Sequence, residues 1–116
     1  MITYDTLKNV FAEILDEHKI PCQWHSFIQL PKKHCFGTYC IAETEFDGAD
    51  EMCFYRHDTV NLCLFYKDTK TDDDNVLETE IENELKPVGA FSKKYLFDSA
   101  NGLFYTVYTV VCHELI

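Results

Sequence analysis

The order of the predicted elements constrains this chain more than any single motif. Apolar residues recur every three or four positions over residues 3–18, follow strand patterns through 22–67, return to helical spacing at 73–86 and to strand patterns at 91–115. A helix, a run of strands, a second helix and a closing strand pair thus occupy nearly all 116 residues. We predict one α+β domain over residues 1–116, with no room for a separate catalytic or cofactor-binding unit.

The first predicted helix has one apolar face. Leu7, Phe11 and Ile14 lie on that face at the spacing of helical turns. Thr3 is placed to cap the amino terminus, and Pro21 ends the segment. We expect the apolar face to pack on the sheet.

The second predicted helix has a narrower apolar stripe and is strongly acidic. Thr71 can cap it, aspartates fill its first turn, and Pro87 follows it. Leu77, Ile81 and Leu85 form the stripe. The spacing predicts that the helix rests on the sheet along one edge. Its glutamates are then expected to face solvent: Glu78, Glu80, Glu82 and Glu84.

Six segments are predicted to be strands, because they alternate in polarity or are rich in β-branched and aromatic residues. They are residues 22–28, 35–46, 52–57, 58–67, 91–97 and 103–115. The order α-β-β-β-β-α-β-β predicts a mixed, mainly antiparallel sheet packed by two helices. Segments 58–67 and 103–115 are apolar on both faces, so we expect them inside the sheet and covered on both sides. Gly37 indicates a bulge or close approach, and Trp24 is expected in the core.

The charge of the chain argues against nucleic-acid binding. Twenty acidic and ten basic residues give a net charge of −10, and Arg56 is the single arginine. Binding phosphates requires clustered Lys and Arg, which this composition does not provide. An acidic surface instead repels polyanions.

The six cysteines do not form a metal or disulfide pattern. The densest group is His34, Cys35 and Cys40, with His25 upstream, but no second tight pair follows as zinc sites require. Residues 1–5 lack the features of a secretory signal, and no apolar run approaches 18 residues. We therefore expect reduced thiols that pack in the core of a cytosolic domain, with no metal and no membrane span.

Nucleophilic catalysis is equally unsupported. Cys112 precedes His113, and Cys53 lies near His57, but neither pair has a glycine-rich oxyanion loop, and the chain holds four glycines. We therefore expect no enzymatic activity and no cofactor.

Several segments together carry a resemblance to a known family. They are the apolar helix, the Ile20-Pro21 break, the strand from residue 22, the run from residue 54 to 68 into an acidic helix, and the closing segments Lys94-Tyr95-Leu96 and 103–108. Together they resemble small tail completion proteins of long-tailed phages. That family comprises tail terminator and tail-to-head joining proteins. The likeness covers nearly the whole chain, and it rests on element order and aromatic placement. The six cysteines depart from the pattern.

The resemblance implies a virion protein at the tail–head junction, made in the host cytoplasm. It would form a homo-hexameric ring on the tail tube, contact the major tail tube protein and present a surface to the head connector or stopper protein. DNA would pass through the ring without specific binding. The alternative is a small acidic interaction protein, such as an inhibitor that mimics the charge of DNA.

Two acidic segments are candidates for contacts with DNA or partners. Residues 47–51 form a predicted hairpin tip, and we expect Asp47, Asp50 and Glu51 to project from it. Glu78 and Glu82 of the second predicted helix are the rival candidates.

Overall fold

The computed structural model of the protein describes residues 2–49 and 52–115. In chain order the elements are α1 (Tyr4–Glu17), β1 (Cys22–Trp24), β2 (Cys35–Ala49), β3 (Met52–Tyr66), α2 (Asp72–Leu85), a 3-10 turn (Lys86–Val88), β4 (Phe91–Asp98) and β5 (Leu103–Leu115). The α+β class, with two helices and a mainly antiparallel sheet, is confirmed. The segments predicted at 52–57 and 58–67 are one continuous strand, β3.

The five strands form one sheet in the order β1-β2-β3-β5-β4. β1 runs parallel to β2, and every other neighbouring pair is antiparallel. β3 and β5 therefore lie in the interior of the sheet, as their apolar patterns predicted. β4 lies at one edge, and β2 is covered at the other edge only where the three residues of β1 pair with it.

Both helices pack on the same side of the sheet, which we call the helix face. Val60, Leu62, Leu64 and Tyr66 of β3 point to this face and are completely buried. They join the apolar stripes of the two helices in one core, formed on the helix side by Leu7, Phe11, Ile14, Leu15, Leu77, Ile81 and Leu85. Both threonine caps occur as predicted, with Thr3 on α1 and a Thr71–Asp74 capping box on α2.

The opposite side of the sheet, the open face, carries no helix of the described chain. The prediction that the interior strands are covered on both sides is therefore wrong. The apolar residues of this face instead cover one another in a cross-strand ladder. The rings of Phe36 and Phe65 stack with centroids 5.3 Å apart, and those of Phe65 and Tyr105 are also 5.3 Å apart. Phe27, from the loop after β1, packs edge-on against Phe36.

The sequence singles out two residues of the first strands, Gly37 and Trp24. Gly37 lies where α1 approaches β2 most closely, and a Cβ there would clash with Leu15 and lie 3.3 Å from the Phe11 ring. The expected close approach is thus confirmed. Trp24 is not in the core but 61% exposed, because β1 is a short edge strand that ends where His25 adopts φ +63°.

The far ends of β2, β3 and β5 form an arm, defined here as residues 43–49, 52–59 and 111–115. The helix layer covers only the base of the arm, where Asp58 and Cys112 are buried. Further out on the same face, Phe46 is 56% exposed. The arm makes the molecule elongated, with principal extents of 51 × 29 × 21 Å.

A register shift between Ile41 and Glu43 separates the arm from the rest of β2. Before the shift Ile41 is opposite Val60, on the helix face; after it Glu43 is opposite Thr59, on the open face. The shift therefore reverses which side chains of β2 point to each face.

Candidate functional site: the arm and the two sheet edges

The open face of the arm carries a row of carboxylates. Glu43, Glu45 and Asp47 occupy alternate positions of β2 after the register shift, so all three point to the same side, and all three are exposed. They lie along the part of β2 that β1 does not reach. The side chain of Asp47 is 77% exposed, as expected for a residue near the hairpin tip. Asp50 and Glu51 lie outside the described residues.

Two histidines lie beside these carboxylates. His57 is opposite Glu45 on one side and His113 on the other, so the three residues form one row across three strands. The Nδ1 atoms of the two imidazoles are 2.6 Å apart, and His57 Nε2 lies 2.9 Å from an Asp47 carboxylate oxygen. Because the carboxylate only accepts, His57 Nε2 donates, and a single proton lies between the two Nδ1 atoms. The hydrogen bond from His57 orients the Asp47 carboxylate.

The arm also exposes apolar side chains on both faces. Tyr55, Val111 and Leu115 point to the open face, and Phe46 points to the helix face. Each of them, together with Met52 near the tip, is more than 40% exposed. Exposed apolar groups concentrated on one projecting element are typical of surfaces that bind another protein.

The rival acidic candidates on α2 occupy different environments. Glu78 was predicted to face solvent, and that prediction is wrong, because its side chain is 1% exposed. Its position beside the apolar stripe turns it toward the sheet, where donors surround it. Glu82 is partly buried and accepts hydrogen bonds from Tyr108 (2.8 Å) and Lys93 (3.0 Å). Both residues thus contribute to the packing of α2 on the sheet.

Glu78 is the centre of a buried polar network. One carboxylate oxygen accepts from the hydroxyls of Tyr66 (2.5 Å) and Thr106 (2.9 Å), and the other lies 3.2 and 2.9 Å from the ammonium groups of Lys70 and Lys93. Burial, the largest single influence, raises the pKa of Glu78, but the four partners together outweigh it and the net pKa is lowered. Glu78 is therefore an ionised structural group.

Burial of the five described thiols disfavours their thiolate forms. Burial raises the pKa of Cys22 and Cys35 to about 12 and that of Cys63 and Cys112 to about 11. Burial likewise raises the pKa of Cys40, and these five cysteines are free. Thiolate is the reactive and metal-binding form, so these environments favour packing over chemistry. Within residues 2–49 and 52–115, no group of three His, Cys, Asp or Glu side chains is arranged to hold a metal ion.

The second exposed edge of the sheet belongs to β4. Three consecutive residues of β4, Tyr95, Leu96 and Phe97, are between 42% and 54% exposed. Lys94 points to the open face in a row with Val107 and is exposed. Sequence reasoning missed this edge and the His57–His113 pair, because both depend on which strands are neighbours. The consecutive Tyr95-Leu96-Phe97 run was the available signal for the edge.

Neither α1 nor α2, the two α-helices of the described chain, has the length and the apolar run needed to cross a bilayer. Neither a comparison with protein-family models nor one with curated proteins finds a match for this chain.

Proposed function

We propose that the protein is a non-enzymatic virion assembly protein, a tail terminator or tail completion protein. In this proposal it caps the tail tube of a long-tailed phage and joins the tail to the head connector, working as a hexameric ring. The sequence resemblance supplies the family, and the order of two helices around a mainly antiparallel sheet agrees with what that family implies.

The observation that carries the proposal is that, in the described chain, the two opposite edges of one sheet have strand segments whose outer sides are unpaired. β4 offers one edge, and the arm of β2 offers the other. Different surfaces at opposite ends of a subunit favour head-to-tail association of identical copies, which closes into a ring when the rotation between neighbours allows it. The exposed apolar residues of the arm supply further contact area.

The acidic balance fits a ring through which DNA passes. The net charge is −10, and exposed carboxylates follow the arm of β2. Like charge opposes adhesion of the DNA to the protein. The alternative, a mimic of DNA charge, is less well supported. Such a mimic needs a continuous surface of free carboxylates, and on α2 that surface is interrupted because Asp74, Glu78 and Glu82 are bonded within the fold.

Deletion of the gene from a phage genome that encodes this chain tests the proposal. We expect tails of abnormal length, or tails without heads, in negative-stain images, and rescue by the wild-type gene. Tails of normal length joined to heads would refute the function. A DNA-charge mimic would leave tails intact and would instead bind and inhibit a DNA-binding protein in the host.

Charge reversal distinguishes the arm from α2 as the contact surface. The arm variant carries Lys at Asp47, Asp50 and Glu51, and we expect it to fold but to lose head–tail joining. The matched control reverses three exposed carboxylates on or next to α2: Asp68, Asp73 and Glu84. If the control variant loses head–tail joining and the arm variant keeps it, the assignment of the contact surface to the arm is wrong.

A further inference from the structure

We propose that β4 of one copy pairs, antiparallel, with the arm of β2 in the next copy, with Lys94 facing Glu43 and Glu45. The proposal specifies the subunit interface of the ring and in that respect rests on the proposed function. The occupant of each edge is a second copy of this chain.

The first step is that both edges are open in the described chain. β1 pairs with Gly37 to Tyr39 of β2. Residues 40–49 pair with β3 on their inner side and have no neighbouring strand of the described chain on their outer side. β4 pairs with β5 on one side only. An exposed strand edge presents unpaired N–H and C=O groups to which another strand can bind, and the charged side chains at these two edges favour a partner edge of opposite charge. On β4 the exposed apolar residues from Tyr95 to Phe97 favour contact with another strand.

The second step is charge complementarity on one face. Lys94 is on the open face, is exposed and makes no ion pair with any described residue. Lys93, its neighbour, points to the helix face and is held by α2. The arm of β2 has the opposite charge on the same open face, with Glu43 and Glu45 exposed. An edge with one free ammonium thus matches an edge with free carboxylates.

The third step concerns strand direction. β2 is antiparallel to β3, β3 to β5 and β5 to β4, so β4 runs opposite to β2 within one subunit. A rotation that preserves strand direction therefore places β4 of one copy antiparallel to β2 of the next. The open faces of both copies then lie on the same side. This is the head-to-tail relation from which a ring is built.

The fourth step is the stagger between the two edges. Lys94 is level with Thr38, through the register pairs that link it to Val107 and Cys63. To reach Glu43 and Glu45 it must shift along the strand by about six residues, roughly 20 Å at the usual strand rise. Four strands occupy about 19 Å across a sheet. A shift of about 20 Å along the strands over a width of about 19 Å corresponds to strands tilted by about 45° to the ring axis. This tilt is at the upper end of the range in closed sheets.

Zero-length carbodiimide cross-linking tests the contact directly, because it joins an ammonium to a carboxylate that touches it. Equal amounts of ¹⁵N-labelled and unlabelled full-length protein are mixed, concentrated to about millimolar, or added to isolated tail tubes, and cross-linked. We expect peptides that join Lys94 to Glu43 or Glu45 and contain one labelled and one unlabelled partner. Absence of such mixed peptides under both conditions overturns the proposal.

Charge exchange tests the same contact by its energetics. Lys94→Glu alone, or Glu43→Lys with Glu45→Lys, should weaken self-association by about tenfold or more, and the triple variant should restore it, since the pair is then reversed. Lys33→Glu, at an exposed loop position with the same charge change, is the matched control. Unchanged association of Lys94→Glu, or failure of the triple variant to restore it, refutes the interface.

The two proposals fail separately. Cross-links between Lys94 and the arm carboxylates, combined with normal tails after gene deletion, would leave the interface standing and remove the function. Defective tails after gene deletion, combined with full rescue by the Lys94→Glu variant, would support the function and refute the interface.

Discussion

The buried carboxylate of Glu78 gives the sharpest stability prediction. Replacing it with Gln keeps its shape but removes the charge that Lys70 and Lys93 approach at 3.2 and 2.9 Å. The amide must then direct its oxygen toward the two ammonium groups. Its NH₂ group faces the hydroxyls of Tyr66 and Thr106, which must accept hydrogen bonds instead of donating them.

The expected cost follows from the exposure of the partners. Breaking a buried ion pair from one side costs about 3–5 kcal/mol. The side chains of Lys70 and Lys93 are 20% and 36% exposed, so both can recover water when the charge is lost. We therefore expect Glu78→Gln to lower the free energy of unfolding by about 2–3 kcal/mol. Glu78→Ala also leaves two hydroxyls without their acceptor and should cost about 3–5 kcal/mol.

Urea unfolding followed by circular dichroism measures both variants, with Glu84→Gln as the control on the exposed side of α2. The control should stay within about 0.5 kcal/mol of the wild type. If Glu78→Gln is equally close to the wild type, the network does not hold α2 to the sheet and our reasoning is wrong.

The pH dependence of this difference is a second test. The folded-state pKa of Glu78 lies below its ordinary value of 4.5, so ionisation stabilises the folded state above that pH. The contribution declines as the pH falls through the folded-state pKa. The gap in unfolding free energy between the wild type and Glu78→Gln should therefore be full at neutral pH and shrink in acid. A gap that widens on acidification would contradict the assignment.

Three further predictions concern packing and thiols. Leu64→Ala should lower the free energy of unfolding by about 2–5 kcal/mol, whereas Val107→Ala, on the half-buried open face, should lower it by about 1 kcal/mol. Equal losses of the two variants in urea unfolding would contradict a helix layer on one side of the sheet. Gly37→Ala should cost about 1–3 kcal/mol because its methyl group meets α1, and a neutral result would show that the helix yields easily. Burial raises the pKa of Cys35 to about 12 and that of Cys112 to about 11, so at pH 8 a thiol reagent should react about 1,000-fold more slowly with Cys35 and about 100-fold more slowly with Cys112 than in urea. Prompt labelling of the native protein, mapped by mass spectrometry, would refute this.

Local signals in the sequence sufficed for the helices and for the position of the interior strands. Thr3 and Thr71 marked both helix starts correctly, since capping depends on residues a few positions away. The two-faced apolar pattern of β3 correctly indicated an interior strand, but it did not distinguish a second helix layer from a ladder of stacked rings. Both arrangements require the same residues on the strand itself.

Features that depend on distant neighbours could not be predicted. Glu78 lies beside the apolar stripe of α2, and burial of its charge is favourable because Tyr66, Thr106, Lys70 and Lys93 converge on it from other parts of the chain. The contact between His57 and His113 likewise exists only because β3 and β5 pair in one particular register. Asp47 was predicted at the hairpin tip, but its bond to His57 was not.

The register shift between Ile41 and Glu43 also bears on how this protein can change over generations. Because side chains alternate along a strand, inserting or deleting one codon there would turn the carboxylates of the arm to the other side and bring Thr44 and Phe46 in their place. The helix-packed half of the sheet would keep its register. A single indel could thus give the arm a new binding surface while the core that folds the domain stays the same.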